Sequence, residues 1–416
     1  MVESFVPHIL ALFLLFFIAV ISAIFLRRIN VPYTIGLVVI GLILAYAVKD
    51  IGALNFVADI RLTHDVIVFV LLPTLIFDAA TNIDAKLLLK NLVPILSLAV
   101  PGLVISTLIV GVAVHYFTPL HLGTAILFGA LISATDPVAV VALFQKLGAP
   151  ERLTILVDGE SLFNDATAIV LFNIIVAMII TRTSFSLNSV SNAVIEFSTV
   201  FFGGLIVGAV IGYIIINIIK ISKNDPLVQL ALSTILAYSS FIIAEYYLDV
   251  SGVMAVLAAG IMLSWHGSGR FTLETKEYLK HFWEYAAFVC NSFIFLLLGV
   301  AELHLFTLIG HSNYLLLYIA IAIVAVTIAR LIVVFWVPYI LSSKSEKIGN
   351  KYKTVIFWGG LRGAVPLALA LSLSRHFEDE QLIIELTLGV VLFTLLVQGS
   401  TIKLLIKYLK LQIEKK

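Results

Sequence analysis

Charged residues are scarce in this chain. Asp, Glu, Lys and Arg make up 12% of its 416 residues, whereas 61% are hydrophobic and the mean hydropathy is +1.12. A soluble domain carries roughly 25% charged residues. This composition excludes an ordinary soluble protein and indicates one that spans a membrane many times.

Cysteine pairs and nucleotide-binding motifs are also missing. Cys290 is the only cysteine, so no disulfide can form within the chain, and no Cys/His spacing is typical of a zinc site. No glycine-rich phosphate loop is present. We therefore expect no cofactor and no nucleotide hydrolysis as the energy source.

Long apolar runs fill most of the chain. A helix that crosses a bilayer needs roughly 20 mostly apolar residues. The first run ends in Arg27-Arg28 rather than in a cleavage site, so we expect it to be retained. No linker divides the chain, which predicts one all-α polytopic membrane domain over residues 1–416. Its thirteen predicted transmembrane helices are centred near residues 17, 40, 74, 104, 133, 167, 208, 237, 258, 291, 327, 364 and 395.

Basic residues predict the orientation in the membrane, because Lys and Arg remain on the cytoplasmic side. One set of loops and the C-terminal tail carry 20 of the 26 basic residues, and the opposite loops carry four. The other two, Arg330 and Arg362, fall inside predicted spans. The pattern predicts an outer N-terminus and a cytoplasmic C-terminus. It also explains the basic residues without nucleic-acid binding.

Two predicted spans are interrupted. Span 5 contains Thr135-Asp136-Pro137, where the proline removes a backbone donor and clashes with the preceding turn. Span 12 contains three glycines and a proline between Trp358 and Pro366. Spans 5 and 12 run in opposite directions, as an inverted repeat of spans 1–6 and 8–13 requires, and such a repeat favours a binding site at the midplane. Two unrelated proline kinks are the alternative.

Carboxylates lie deep in these spans. At about 1.5 Å per residue, Asp136 is roughly 14 Å from the cytoplasmic end of span 5, and Asp165 is roughly 18 Å into span 6. Both positions are near the middle of a ~30 Å hydrocarbon layer. Buried membrane acids often mark an ion or proton path.

Glu160, Ser161, Asn164 and Asp165 follow one stripe of span 6, which must face protein or water. Glu160 and Arg362 enter from the cytoplasmic side and reach a similar depth, so we predict a buried ion pair that joins two helices. Arg330 either offsets the carbonyl ends of the broken helices or pairs with another helix.

Oxygen ligands for a small cation gather around the two aspartates. Asp165, Asp136, the Ser161 hydroxyl, Thr135 and backbone oxygens freed by the proline form such a set. The titration of two carboxylates that share a site is coupled, and a cation competes with their protons. This competition, combined with alternating exposure, is sufficient for exchange. Asp78 either reaches the site or lies in a cytoplasmic funnel.

At these residues the chain resembles the monovalent cation/proton antiporters, in the NhaP-type branch of prokaryotic and animal plasma-membrane sodium/proton exchangers. The resemblance runs from about Leu10 to Leu409. It rests on five segments: residues 134–140 (Ala-Thr-Asp-Pro-Val-Ala-Val), residues 160–165 (Glu-Ser-Leu-Phe-Asn-Asp), residues 282–285 (Phe-Trp-Glu-Tyr) with Asn291-Ser292, Ala329-Arg330, and residues 359–363 (Gly-Gly-Leu-Arg-Gly).

The resemblance implies roles for individual residues. Asp165 would be the essential carboxylate that carries ion and proton, and Glu160 would pair with Arg362. Asn164 would brace the site, and its presence before Asp165 resembles the electroneutral branch, which implies one Na⁺ or Li⁺ for one H⁺. Asp78 occupies a position where relatives often carry Glu. The remaining site residues implied are Thr135, Asp136 and Ser161.

The resemblance also implies an assembly. We expect a homodimer in a prokaryotic cell membrane that serves pH homeostasis. An ion-translocating bundle, about residues 92–182 and 313–410, would move against an interface part formed by spans 1–3 and 8–10. Because the chain ends at Lys416, we expect no long regulatory tail.

Three other functions compete with sodium/proton exchange. Potassium/proton exchange would use the same oxygens. A cation channel would not need interrupted helices in an inverted repeat. An intramembrane aspartyl protease also uses two carboxylates, but it needs a Gly-x-Gly-Asp setting that neither Asp136 nor Asp165 has. We therefore expect a transporter and not an enzyme.

Overall fold

The computed structural model describes residues 2–29, 33–50, 66–182, 187–221, 225–267, 271–301, 314–341, 348–373, 377 and 379–411. These residues form helices joined by turns and short non-helical segments, and no strand occurs among them. Seven helical segments among the described residues are long and apolar enough to cross a membrane: Leu92–Phe117, Leu122–Phe144, Glu151–Ile180, Ser191–Ile219, Pro226–Tyr247, Leu315–Pro338 and Glu380–Tyr408. Three shorter apolar helices cover Leu12–Leu26, Ile67–Asn82 and Gly252–Trp265. The prediction of an all-helical membrane protein is confirmed.

The helices follow one another with short connections. The first nine are α1 (Val2–Ile29), α2 (Tyr33–Asp50), α3 (Leu72–Asn82), α4 (Ala85–Lys90), α5 (Leu92–Ser97), α6 (Leu103–Phe117), α7 (Leu122–Ser133), α8 (Val138–Leu147) and α9 (Glu151–Ile180). They are followed by α10 (Leu187–Ile219), α11 (Pro226–Ile242), α12 (Gly252–Met262), α13 (Leu273–Ala301), α14 (Leu315–Leu341), α15 (Asn350–Trp358), α16 (Ala364–Ser372), α17 (Glu380–Phe393) and α18 (Gly399–Tyr408).

Single π-helical turns extend several of these helices. In the described ranges they are Ile67–Leu71, Leu98–Gly102, Ile243–Tyr247, Leu263–Gly267 and Thr394–Gln398. Each of the thirteen predicted span centres lies in a described helix or π-turn. The number of helices that cross a bilayer stays a prediction, as does the inverted repeat.

Both predicted interruptions are confirmed. The first helix ends at Ser133, the backbone of Ala134 is extended (φ −60°, ψ 140°), and α8 begins at Val138 after Pro137. The second helix ends at Trp358 and α16 begins at Ala364. The causes are local, since Pro137 cannot donate a backbone hydrogen bond and three glycines in residues 359–363 weaken helical structure.

The helices pack mainly within two groups. In one group α2 packs against α13, and α3 packs against α12 and α13. In the other, α6 packs against α7 and α14, α9 against α7, and α16 against α17. Both interrupted helices therefore lie in the second group, within residues 92–182 and 315–408. The assignment of this group as a moving bundle and the other as an interface part stays a prediction.

Backbones approach closely inside the second group. Gly129 of α7 faces α6 so tightly that a Cβ there would overlap the Thr107 carbonyl oxygen and lie 3.1 Å from the Gly111 nitrogen. Backbone atoms cannot rotate away as a side chain can. The α6–α7 contact therefore depends on glycine at this position.

We expect Gly129→Ala to lower the free energy of unfolding by about 1–3 kcal/mol, the usual cost of overpacking. Thermal unfolding of the detergent-solubilised protein measures it. The control is Gly349→Ala, because nothing lies within 4 Å of a Cβ at that position. Equal melting temperatures for the two variants would contradict the tight contact.

Candidate ion-binding site

The two interruptions lie side by side. The backbone N–H of Asp136, in the first interruption, donates to the carbonyl oxygen of Leu361, in the second, at 2.8 Å. This bond joins two segments that are 225 residues apart in sequence. The crossing brings the ends of four half-helices together: the C-terminal ends of α7 and α15, and the N-terminal ends of α8 and α16.

The Asp136 carboxylate lies at both N-terminal ends. Its Oδ1 accepts a hydrogen bond from the Val138 N–H at 3.0 Å, and the Ala364 N–H also donates to the carboxylate. A Cβ on Gly363 would overlap this carboxylate, so only glycine leaves it room. Because helix N-termini carry partial positive charge, Asp136 stabilises both half-helices together.

Arg362 lies at the C-terminal end of α7. Its Nη1 donates to the carbonyl oxygens of Ser133 at 2.9 Å and Ala134 at 3.0 Å. Its backbone N–H donates to Thr394 Oγ1 at 3.0 Å. The side chain is 1% exposed. Arg362 therefore neutralises the carbonyls that the interruption leaves without helical partners.

The predicted ion pair between Glu160 and Arg362 is wrong, because Glu160 pairs with Arg330. Both guanidinium Nη atoms of Arg330 donate to the Glu160 carboxylate, Nη1 to Oε1 and Nη2 to Oε2, the latter at 2.8 Å. Arg330 Nη2 also donates to the Ile356 carbonyl in the last turn of α15, at 3.0 Å. Both interpretations of Arg330 are therefore correct: it joins two helices and offsets a carbonyl end.

Thr135 is held by two residues of α9. Asn164 accepts from the Thr135 N–H at 3.3 Å and donates from Nδ2 to its hydroxyl oxygen at 2.6 Å. The Ser161 hydroxyl donates to the Thr135 carbonyl at 2.5 Å. All three of these residues are buried. The structure thus brings Ser161 and Asn164 onto the first interruption.

Asp165 differs from Glu160 and Asp136, the two acids beside it. It lies within electrostatic range of Asp136, Arg362 and Glu160 and is half-buried. In the part of the chain that the structure describes, its carboxylate has no hydrogen-bond or ion-pair partner. This carboxylate is free to bind a proton or a cation.

Asp78 belongs to a different cluster. Its Oδ1 accepts from Asn82 Nδ2 at 2.9 Å, and its acidic neighbours are Glu284 and Asp158. Asp165 is not among them. The structure does not bring Asp78 to the aspartate pair, and its role as an ion ligand stays a prediction.

Two contributing residues were not predicted from the sequence. Thr394 accepts a hydrogen bond from the Arg362 N–H, and Gln398 is buried four residues later, at 5% exposure. Gly363 was predicted as part of the interruption, but not its role of making room for Asp136. Thr394 and Gln398 are four residues apart in an apolar span, a helical spacing that could have marked them.

The donor set consists of oxygens. Among the described residues, no group of three or more His, Cys, Asp or Glu side chains could hold a metal ion. Two half-buried carboxylates, a hydroxyl and a backbone carbonyl are oxygen donors, the kind of ligand that hard cations prefer.

Comparisons with known proteins find sodium/proton antiporters among the similar proteins. The family model described as "Sodium/hydrogen exchanger, transmembrane" matches residues 13–408. The Na⁺/H⁺ antiporter ApNhaP of Aphanothece halophytica is 40% identical over 385 residues, which cover 92% of this chain and 70% of that protein. The Na⁺/H⁺ antiporter NhaH of Halobacillus aidingensis is 34% identical over 383 residues, covering 91% and 92% respectively.

A solved structure shares the fold. The sodium proton antiporter MjNhaP1 from Methanocaldococcus jannaschii aligns with a TM-score of 0.78 and 22% sequence identity, over 98% of this chain and 99% of that one. At that identity the likeness shows the fold alone.

We expect a double-mutant cycle to couple Glu160 to Arg330 more strongly than to Arg362. Glu160→Gln or Arg330→Met alone leaves one buried charge unpaired, which commonly costs about 3–5 kcal/mol. The two changes together should cost less than their sum by more than about 1 kcal/mol. Chemical unfolding in detergent gives these free energies. A larger coupling between Glu160→Gln and Arg362→Met would contradict the pairing.

Proposed function

Because the chain belongs to the sodium/hydrogen exchanger family, we propose that it is a secondary antiporter that exchanges Na⁺ or Li⁺ for H⁺ at Asp165. The family match over residues 13–408 supports a transporter rather than an enzyme. The observation that carries the choice of residue is the half-buried Asp165 carboxylate, which has no partner among the described residues. Its neighbour Glu160 is paired with Arg330, and Asp136 already accepts hydrogen bonds from two half-helix N-termini.

The charges around Asp165 support a stoichiometry of one cation for one proton. Three acids, Glu160, Asp136 and Asp165, face two bases, Arg330 and Arg362. If the other four keep their charges, ionised Asp165 gives the cluster a net charge of −1. A proton or a monovalent cation each restores zero. Each half of the proposed cycle thus carries the same charge, which makes the exchange electroneutral.

The proposed cation ligands surround the first interruption. The Ser161 hydroxyl directs its hydrogen to the Thr135 carbonyl, so its oxygen keeps lone pairs for a cation. Asp136, half-buried, contributes the second carboxylate. Protonation of Asp165 would remove the strongest ligand and release the ion. Asn164 keeps Thr135 in place through two hydrogen bonds.

We extend the proposal to the architecture. Thirteen spans would form an inverted repeat of spans 1–6 and 8–13, with the N-terminus outside and the C-terminus in the cytoplasm. The bundle of residues 92–182 and 313–410 would move against spans 1–3 and 8–10 in a homodimer. The packing of both interrupted helices in one helix group supports this division. The role would be pH homeostasis at a prokaryotic cell membrane, and the relatives named as Na⁺/H⁺ antiporters support the exchange activity that such a role needs.

We expect Asp165→Asn to abolish cation-driven dissipation of a pH gradient in proteoliposomes. Asparagine preserves the size of the side chain but cannot exchange a proton at neutral pH. The control is Asp225→Asn, because Asp225 is an exposed helix cap and asparagine caps equally well. Dissipation that persists at the wild-type rate in Asp165→Asn would place the site elsewhere.

We expect the wild-type protein to respond to NaCl and LiCl more strongly than to KCl, and its turnover not to depend on membrane potential. The ion preference follows from the relatives named as Na⁺/H⁺ antiporters, and the second expectation follows from a site whose charge is the same with a proton or a cation. Proteoliposomes with a valinomycin-clamped potential test the second expectation. Faster exchange with K⁺ would favour a potassium/proton antiporter, and a rate that follows the potential would require unequal stoichiometry.

A further inference from the structure

A small cavity lies beside Arg330 and Arg362. It is bordered by Arg330, Arg362, Gly360, Thr394 and Gln398, among other residues, and it offers about 10 Å³ to the centre of a water molecule. A buried water needs roughly 10–15 Å³ by this measure. The cavity therefore has room for one small solvent species.

Three buried polar atoms on the residues that line this cavity have no hydrogen-bond partner among the described residues. They are Nε of Arg330, Nε of Arg362 and Oε1 of Gln398. Buried polar groups are nearly always hydrogen-bonded. Because all three residues line the same cavity, a single ligand there would supply a partner to each.

Local geometry places Arg330 Nε beside Gly360, which also lines the cavity. A Cβ on Gly360 would lie 2.7 Å from Arg330 Nε, so glycine permits the guanidinium to reach this position. Gln398 closes the π-turn Thr394–Gln398, one turn after the threonine that receives the Arg362 N–H. The other guanidinium contacts of both arginines go to Glu160 and to backbone carbonyls, and the two Nε atoms have no partner among the described residues.

The donors and the acceptor select the ligand. One water accepts from both Nε–H groups and donates to Gln398 Oε1, and three hydrogen bonds are typical of a buried water. Two guanidinium groups repel a cation. An anion would need the glutamine amide nitrogen, rather than its oxygen, turned inward.

We infer that this cavity holds one water and that Gln398 is a positioning residue which, through this water, fixes the direction of Arg362. Arg362 in turn holds the carbonyls of Ser133 and Ala134, directly before Thr135 and Asp136. Gln398 thus controls the geometry of the cation ligands without touching them. The transport consequences rest on the proposed function, but the water site does not.

The transport test compares Gln398→Met with Gln398→Glu. Methionine has a similar length and no strong acceptor, so we expect the KM for Na⁺ to rise about 5- to 30-fold with kcat changed less than about 3-fold, since a loss of uniform binding raises KM alone. Glutamate keeps an acceptor oxygen in either protonation state, and its KM should stay within about 3-fold of wild type on the same reasoning. The control is Gln381→Met, on an exposed face of α17.

Melting temperatures separate positioning from folding. An unchanged KM for Na⁺ in Gln398→Met would overturn the positioning role. A combined loss of kcat and melting temperature in Gln398→Met that also occurs in Gln398→Glu would overturn it as well. Absence of exchange by the wild-type protein would instead reject the proposed function. In that case the structural test below still decides the water site.

The structural test is a cryo-EM map of the wild-type protein at a resolution that shows other buried waters. Density between Arg330 Nε, Arg362 Nε and Gln398 Oε1 is expected, and its loss in Gln398→Met would support the assignment. An empty cavity in the wild-type map would overturn it. Replacing chloride by gluconate should not change the KM for Na⁺, whereas a chloride dependence would reject water in favour of an anion.

Discussion

Backbone groups released from a helix inside a bilayer must find new partners, because hydrocarbon offers none. Two interrupted helices leave N–H groups at two ends and carbonyls at two others. Here one acid, Asp136, serves both N-terminal ends. Arg362 and Arg330 serve the C-terminal ends of α7 and α15. One acid can reach two ends only where the interruptions cross, so the crossing and the charges require one another.

The need to supply partners for these backbone groups gives different environments to two carboxylates that the sequence places on the same helical stripe. Glu160 is 2% exposed and holds Arg330 with both oxygens. Asp165, five residues later, is half-buried and has no partner in the described part of the chain. The same functional group is structural in one position and available for chemistry in the other. The difference arises because Glu160 binds Arg330, which also holds a backbone carbonyl at a helix end, whereas Asp165 has no such partner among the described residues.

The sequence predicts the interruptions and the depth of the acids, but not every partner. Pro137 and the glycines of residues 359–363 act locally, so their effect can be inferred without a fold. Residue spacing gives depth along a helix axis as well. The rotation of each helix about its axis depends on packing, so similar depth, together with the family resemblance, made Arg362 the expected partner of Glu160 rather than Arg330. The same limit applies to Asp78, because its position along span 3 does not predict that it lies near Asp158 and Glu284.

The contacts at the crossing also constrain any alternating motion. The bond between the Asp136 N–H and the Leu361 carbonyl, with those of Arg362 to Ser133 and Ala134, joins the two interruptions. Sliding one segment past the other would leave these groups without partners in a medium that cannot solvate them. Both interrupted helices would therefore move as one body with α9, which carries Asp165. On this reasoning, the proposed alternation of access comes from displacement of the whole group against its neighbours, while the ion ligands keep their mutual geometry.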